Sequence, residues 1–486
     1  MLERIYRLSP QTRLEQIGSK RVLICTHPLQ YVELNEAAWA LLSALGAGRP
    51  LHDWVRPISK PILEFLEDKV GSGALECDYR VTPPTSHPPV EVIVPAYRDS
   101  AGLARCLAGL ARQDYPAQCV WVTIVDDGTP TPLEARCEGL APGRVRWLRL
   151  EQNQGPADAR NAALRTAPPA GNPGPPLCAF IDSDCAPPSD WLSTLVSVLE
   201  DPHLDAAGGQ VVGLHRAGWL ARYEHACSSL NRGSQGGPAG GAAHRVAYLP
   251  TCNLMVRRRA LEAVGGFRDG LRLGEDVDLN WRLQAAGFRS FYYPPARVAH
   301  AHRTRPWAFC QRRRLYARSE AWLRARYPTR FQHGLRPLRW ALGLGMLGCL
   351  HSIALGGLLV AGAAGAEALW HRWRFGTGAG HFTRRERLLA GLRRAGAGLA
   401  QESRVLVRAG LVLALPVVAL VPDLAPGAGA IVLVGAWAER AARRIPLPWI
   451  EFLPGHLLDT LAYSVGRVEG ALWALLGRTE RTVTRA

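Results

Sequence analysis

Leu177-Cys178-Ala179-Phe180-Ile181-Asp182-Ser183-Asp184-Cys185-Ala186-Pro187-Pro188 is the stretch on which the reading of the fold turns. An apolar run that stops at turn-forming residues describes a buried strand of an α/β sheet, and ligands of such sheets bind at the carboxyl ends of the strands. Asp182 and Asp184 stand at that end. Strand alternation would turn both carboxylates to one side, where hard oxygen ligands suit Mg or Mn carrying a diphosphate. The competing reading is a turn with a helix start, since Asp-Ser-Asp-Cys-Ala-Pro-Pro also leads into a helix at Trp191.

The residues before this stretch repeat the same pattern. Val90–Tyr97 reads as a buried strand, Ala101–Asp114 as a helix, and Val120–Gly128 as a second strand that ends in Asp126 and Asp127. Arg144–Leu150 supplies a third strand and Gly155–Thr166 a helix. Strands alternating with helices, with polar residues where the strands finish, make βαβ units. Residues 1–82 read as a separate small domain with strands at Arg21–Cys25 and Tyr31–Leu34. Its helix from Asn35 to Gly46 has a cap at one end and a glycine at the other, and a second helix runs over Pro61–Val70. Two strands and about three helices fit a winged helix. Val81–Pro89 is an extended, proline-stiffened linker.

At 486 residues the chain has room for two to four domains. Its formal charge of +17 is carried almost wholly by arginine, with Lys20, Lys60 and Lys69 as the lysines. The basic residues gather after Arg297 and over Arg384–Arg394, which suits nucleotide phosphates or an anionic membrane face. No nucleic-acid motif accompanies them. The eleven cysteines include no Cys-x-x-Cys pair, so neither a zinc site nor a disulfide framework is indicated and a reducing, cytosolic setting is expected. Met1–Pro10 lacks the apolar core of a signal peptide.

Five motifs in order carry a resemblance: Val94-Pro95-Ala96-Tyr97, Asp126-Asp127-Gly128, Asn153 to Asn161, Asp182-Ser183-Asp184 and Gly274-Glu275-Asp276-Val277-Asp278. Over residues 89–335 the chain resembles the family 2 glycosyltransferases of the Rossmann-like GT-A fold. Around Leu34–Leu45 the first domain resembles the PqqD-like domains that recognise peptide precursors. The combination is similar to the glycosyltransferases of mycofactocin biosynthesis. That resemblance implies a metal-dependent, inverting hexosyltransferase that takes glucose from UDP-glucose to a peptide-derived premycofactocin acceptor.

A nucleotide-sugar donor needs a grip on its base, a counter-charge for its diphosphate, and a base for the acceptor hydroxyl. Asp126 or Asp127 can accept hydrogen bonds from base or ribose, beside Pro95, Tyr97 and Asp99. The resemblance favours Asp127 and Asp99 for that task, and it turns Arg160 toward the donor. As a structural residue Arg160 would instead pair with a carboxylate. Asp182 and Asp184 would hold Mg or Mn, completed by His300 or His302, of which His302 is taken as the ligand. Asp276 is the expected general base; helix capping is the other use for an acidic first turn. Gln311-Arg312-Arg313-Arg314-Leu315 resembles the Gln-x-x-Arg-Trp signature of chain-polymerising members, with Leu315 in place of the tryptophan. The missing ring removes a stacking platform and argues against long-chain synthesis. Arg314 remains a candidate for the diphosphate. The glycine-rich stretch 231–243 reads equally as a lid or as an inert loop.

Residues 336–486 read as a helical, membrane-associated region. Trp340–Leu369 is long and apolar enough to cross a bilayer. Ala409–Ala438 is apolar but broken by prolines, and Arg372–Arg408 is basic and amphipathic, as expected on the cytoplasmic face of the cell membrane in contact with lipid. The alternative is an all-α domain packed on the catalytic sheet. Two rival functions stand beside the first: a membrane transferase for cell-envelope lipid or polysaccharide, and a non-catalytic membrane scaffold. A scaffold would be expected to have lost at least one of Asp182, Asp184 and Asp276.

Overall fold

A computed structural model describes residues 2–26, 29–45, 59–137, 144–166, 174–240, 246–331 and 425–476, with short stretches between 412 and 420. The chain opens with β1 (Leu2–Leu8), β2 (Thr12–Ile17), β3 (Lys20–Thr26), β4 (Leu29–Leu34), α1 (Glu36–Ala44), α2 (Lys60–Gly71) and β5 (Leu75–Val81). β2, β3 and β4 form an antiparallel sheet, and β1 pairs antiparallel with β5. Asn35 caps α1, its Oδ1 accepting from the Ala38 N–H at 2.8 Å. Tyr6, Leu23, Leu42, Leu63 and Leu66 make the small core.

The described residues of this region therefore hold five strands and two helices, where the sequence suggested two strands and three helices. β1, β2 and β5 are the three strands not expected, because charged residues interrupt their apolar pattern. One of these charges, Arg4, is buried against Asp201 of the next domain at 2.6 Å. The joining segment is held too, as Glu200 Oε1 accepts from the Thr85 and Ser86 backbone N–H groups at 2.6 and 3.1 Å.

The second unit continues with β6 (Val90–Ala96), α3 (Ser100–Leu110), β7 (Val120–Asp126), α4 (Glu134–Cys137), β8 (Val145–Arg149), α5 (Pro156–Arg165), β9 (Leu177–Phe180), β10 (Cys185–Ala186) and α6 (Trp191–Leu199). Next come β11 (Ala206–Gly208), β12 (Val211–Gly213), α7 (Trp219–Cys227), β13 (Gly237–Ala239), β14 (Leu254–Arg257), α8 (Arg258–Val264) and α9 (Glu275–Ala285). β15 (Ser290–Tyr292), β16 (Val298–His300), α10 (Pro306–Arg326) and α11 (Pro328–Phe331) complete it.

Eight strands form one mixed sheet in the order β13-β15-β11-β14-β9-β6-β7-β8, with β9 in the interior, parallel to β6 and antiparallel to β14. Alternate residues of β6 feed two cores: Val92 and Val94 pack with Leu103 and Leu195 on one face, Ile93 with Ala159 and Leu279 on the other. Burying each such aliphatic side chain is worth about 1.5–3 kcal/mol, so both faces are covered by helices. β9 stops at Phe180, and the chain turns as the Cys185 N–H donates to the Asp182 carbonyl at 3.0 Å. Asp182 and Asp184 thus sit in a turn, and strand alternation does not govern their directions.

A second sheet, β10-β16-β12, lies at the strand ends and places Cys185 opposite His300. Beyond residue 331 the described helices are α12 (Ala425–Ala442) and α13 (Trp449–Leu475). α13 packs along α10 with its backbone close in. A Cβ on Gly466 would overlap the Arg314 carbonyl oxygen, and one on Gly470 would crowd Ala321. Trp340–Leu369 and Arg372–Arg408 lie outside the described residues. Among those described, no helix is long and apolar enough to cross a membrane.

Candidate active site

A cavity of about 1730 Å³ opens where β6, β7 and β9 end, and Pro95, Tyr97, Asp127, Asp182 and Asp184 line it. Asp127 does its work on the protein itself: Oδ1 accepts from the Gln154 N–H at 2.8 Å, Oδ2 from the Gly155 N–H at 2.8 Å and from Asn153 Nδ2 at 2.9 Å. The carboxylate shapes the loop into α5, where Gly155 adopts a φ of 104° that a side chain would resist. Burial raises its pKa against those hydrogen bonds. Asp126 is committed similarly, to the Thr129 and Leu133 N–H groups and to Arg149 at 2.8 Å. Asp99 does not line the cavity; it caps α3, with Oδ1 accepting from the Gly102 N–H at 2.8 Å.

Arg160 resolves the two readings made of it. Its side chain is 1% exposed and holds Asp182 at 2.6 Å and Glu275 at 3.0 Å, with the guanidinium 5.4 Å from the Phe267 ring. It ties the β9 turn to the start of α9 while still lining the cavity. Gly274, at a φ of 79°, makes the turn that delivers Glu275, Asp276 and Asp278 as the first residues of α9. Asp278 is fully buried between Arg268, Arg282 and the Tyr327 hydroxyl at 3.2, 2.7 and 2.5 Å, a structural site. Asp276 instead lines the cavity, half-buried, with Oδ1 accepting from the Val277 N–H at 2.8 Å. Burial, then the neighbouring Glu275 charge, push its pKa up to about 7. A carboxylate with that proton affinity is matched to general-base work near neutrality.

Asp184 meets His300 with Oδ1 3.3 Å from Nε2. Potential ligand atoms of Asp184, Cys185 and His300 lie within 4.8 Å of one another, the one such cluster among the described residues. Cys185 is a buried thiol aimed at the Cys252 carbonyl, with its pKa raised by burial, and as a soft sulfur it suits a hard Mg or Mn less than oxygen ligands do. What remains is a carboxylate, an imidazole whose buried Nδ1 has no hydrogen-bond partner, and the Asp182 oxygen that Arg160 does not hold. Such a donor set fits Mg or Mn. Burial raises the Asp184 pKa, and Asp182 nearby adds to it, a charge repulsion that a cation would relieve.

His302, expected as the ligand, is placed elsewhere. Its Nδ1 lies 3.5 Å from Glu224 Oε2, away from the cavity lining, and burial drives its pKa far down. Its ring lies tilted against that of His300, with ring centres 4.7 Å apart. The three consecutive arginines in α10, Arg312, Arg313 and Arg314, diverge by helical phase. Arg312 lines the cavity, its Nε donating to the Tyr316 hydroxyl at 3.0 Å. Arg313 is buried against Glu224 at 2.5 Å and Asp459 at 3.2 Å. Arg314 faces α13 and pairs with Glu469 at 2.6 Å, so the residue expected at the diphosphate is turned away from the cavity that Arg312 lines. The 100° step between successive helical residues was the signal that could have separated them.

Residues 87–317 match the family model "Glycosyltransferase like family 2". Over that segment the chain is similar to the family 2 glycosyltransferases. It is 34% identical over 289 residues to the pre-mycofactocin glycosyltransferase of Mycobacterium tuberculosis, covering 57% of this chain and 58% of that protein. Glycosyltransferase AglE of Haloferax volcanii is 31% identical over 205 residues, covering 41% and 63%. The chain thus spans less than two thirds of these relatives. Among solved structures, a Pyrobaculum calidifontis mannosyltransferase in complex with GDP-Man and Mn2+ matches with a TM-score of 0.40 and 22% identity over 69% of this chain and 94% of that one.

Proposed function

We propose that the protein is an inverting GT-A hexosyltransferase that moves glucose from UDP-glucose onto a peptide-derived premycofactocin acceptor. The observation that carries this reading is Asp276, a half-buried carboxylate held up to about pKa 7 in the same cavity as Asp182, Asp184 and Arg312. In the proposed transfer an acceptor hydroxyl attacks the anomeric carbon, Asp276 takes its proton, and the bond from that carbon to the diphosphate breaks. Asp182, Asp184 and His300 would hold a divalent cation, which supplies Lewis-acid neutralisation of the departing diphosphate. Arg312 adds positive charge on the same side, and the loop shaped by Asp127 borders the donor.

The similarity to the pre-mycofactocin glycosyltransferase supports the acceptor. The first 82 residues are proposed as the PqqD-like module that recruits it. A place on the cytoplasmic face of the cell membrane belongs to the same proposal; exposed Ile450, Trp437 and Leu475, at 84%, 59% and 83%, are side chains that would favour lipid.

The test is nucleoside diphosphate release from a panel of nucleotide sugars, with and without Mn2+ or Mg2+, against a peptide-derived and a lipid acceptor. Metal-dependent transfer from UDP-glucose to the peptide-derived acceptor is expected. Transfer to the lipid alone would favour an envelope enzyme, and no turnover with any donor would favour a scaffold.

A further inference from the structure

The family match ends at residue 317, yet the cavity does not. Glu439, the turn 441–446, Asp459 and Tyr463 also line it, and all of them belong to α12, α13 or the connection between those helices. The same space is also walled by Ser229–Gln235, the segment that follows α7.

Arg443 joins the two. Its Nη1 donates to the Cys227 carbonyl at 3.2 Å, and its Nη2 reaches the Ser228 and Asn231 carbonyls at 3.4 and 3.3 Å. The last carbonyls of a helix have no partner within it, and a planar guanidinium can serve several of them where an ammonium serves as one point charge. Arg443 is itself steadied by Glu439, 3.6 Å away on α12. α7 is fastened to α13 as well: Arg222 pairs with Glu451 at 2.7 Å, and the Tyr223 hydroxyl donates to Asp459 at 3.2 Å. Gly455 lies flat on the Tyr223 ring, where a Cβ would overlap it.

The donor elements come from the ends of β6, β7 and β9. A base must face both substrates, and Asp276 lines the same cavity as Tyr248 and Tyr316. Those tyrosines line the cavity with the C-terminal residues.

We infer that the C-terminal helices build the acceptor wall of the transferase cavity, with Arg443 as the positioning residue that clamps the 228–235 loop into it. The inference rests on the transferase reading above for the word acceptor, and on geometry alone for the clamp.

The experiment compares the full chain with its Arg443→Ala, Arg443→Gln and Arg443→Lys variants by hydrogen exchange over 228–235 and by initial rates with each substrate varied. Arg443→Ala is expected to speed exchange in that loop and to raise the acceptor KM at least tenfold, with the donor KM changed less than threefold. Arg443→Lys should fall between, since one ammonium cannot replace the fork. If the alanine variant does not fold, the glutamine variant carries the same readouts. An acceptor KM that rises no more than the donor KM overturns the acceptor wall, and unchanged exchange over 228–235 overturns the clamp. Absence of turnover in the unmodified chain would overturn the transferase reading instead, and the exchange measurement would still decide the clamp.

Discussion

The two ends of the cavity are built by different means. The donor end is made of strand termini a few residues from the motifs that mark them: Asp127 follows β7, Asp182 follows β9, and Asp276 opens α9. The acceptor end is made of groups far apart in the chain, Arg443 on the Cys227 carbonyl and Asp459 on Arg313. Local sequence can therefore describe the first end. The second exists only once α13 has packed on α7 and α10.

The strongest test of this division falls on Asp276. Asp276→Asn should lower kcat by about 10²–10⁴, the usual yield of a positioned acid or base, while calorimetric donor affinity stays within a few fold. Its pH behaviour has a definite sign. The base must be ionised, so the rate of the unmodified enzyme should fall below an apparent pKa of about 7. A carboxyl whose folded pKa lies above its unfolded value lends stability below the unfolded value and loses it as pH rises through the folded one. Asp276→Asn should therefore melt higher than the parent at pH 8, and the gain should shrink toward pH 4. Transfer unaffected by the substitution would move the base to another residue.

Arg160 comes next. Removing a buried cation leaves Asp182 and Glu275 facing each other without it, and breaking such a pair typically costs about 3–5 kcal/mol. Arg160→Ala should show that loss in chemical denaturation, with transfer reduced as the β9 turn and α9 separate. A variant as stable as the parent would mean that the two ends of the site are held together by something else. Arg314→Ala marks the low end of the scale. Its pair with Glu469 is 44% and 24% exposed, and such a pair is worth about 0–1 kcal/mol. Transfer rates with the donor varied should hardly change, whereas a loss of donor affinity would return Arg314 to the cavity.

The central βαβ units were legible because each β strand is a short apolar run ending in a turn, and each helix has its own periodicity. β1 and β2 were not, since Arg4 in β1 finds its partner in Asp201 and only then becomes a core residue. The choice between His300 and His302 could not be made from alternation, because the register of β16 on β10 sets which imidazole meets Asp184. Arg312, Arg313 and Arg314 are indistinguishable as a run of charge. Their fates follow from which neighbour each helical face meets: the cavity, Glu224 with Asp459, or Glu469.

Periodicity, turn residues and the spacing of Asp182, Asp184 and Asp276 are local properties, and they were enough to specify an α/β sheet with its ligand end. Partner choice is a different kind of property. Whether a carboxylate caps a helix, orders a loop or faces a substrate depends on which donors surround it after folding. Asp99 caps the helix that follows it, whereas packing set Asp127 to order the loop into α5 and Asp276 to line the cavity.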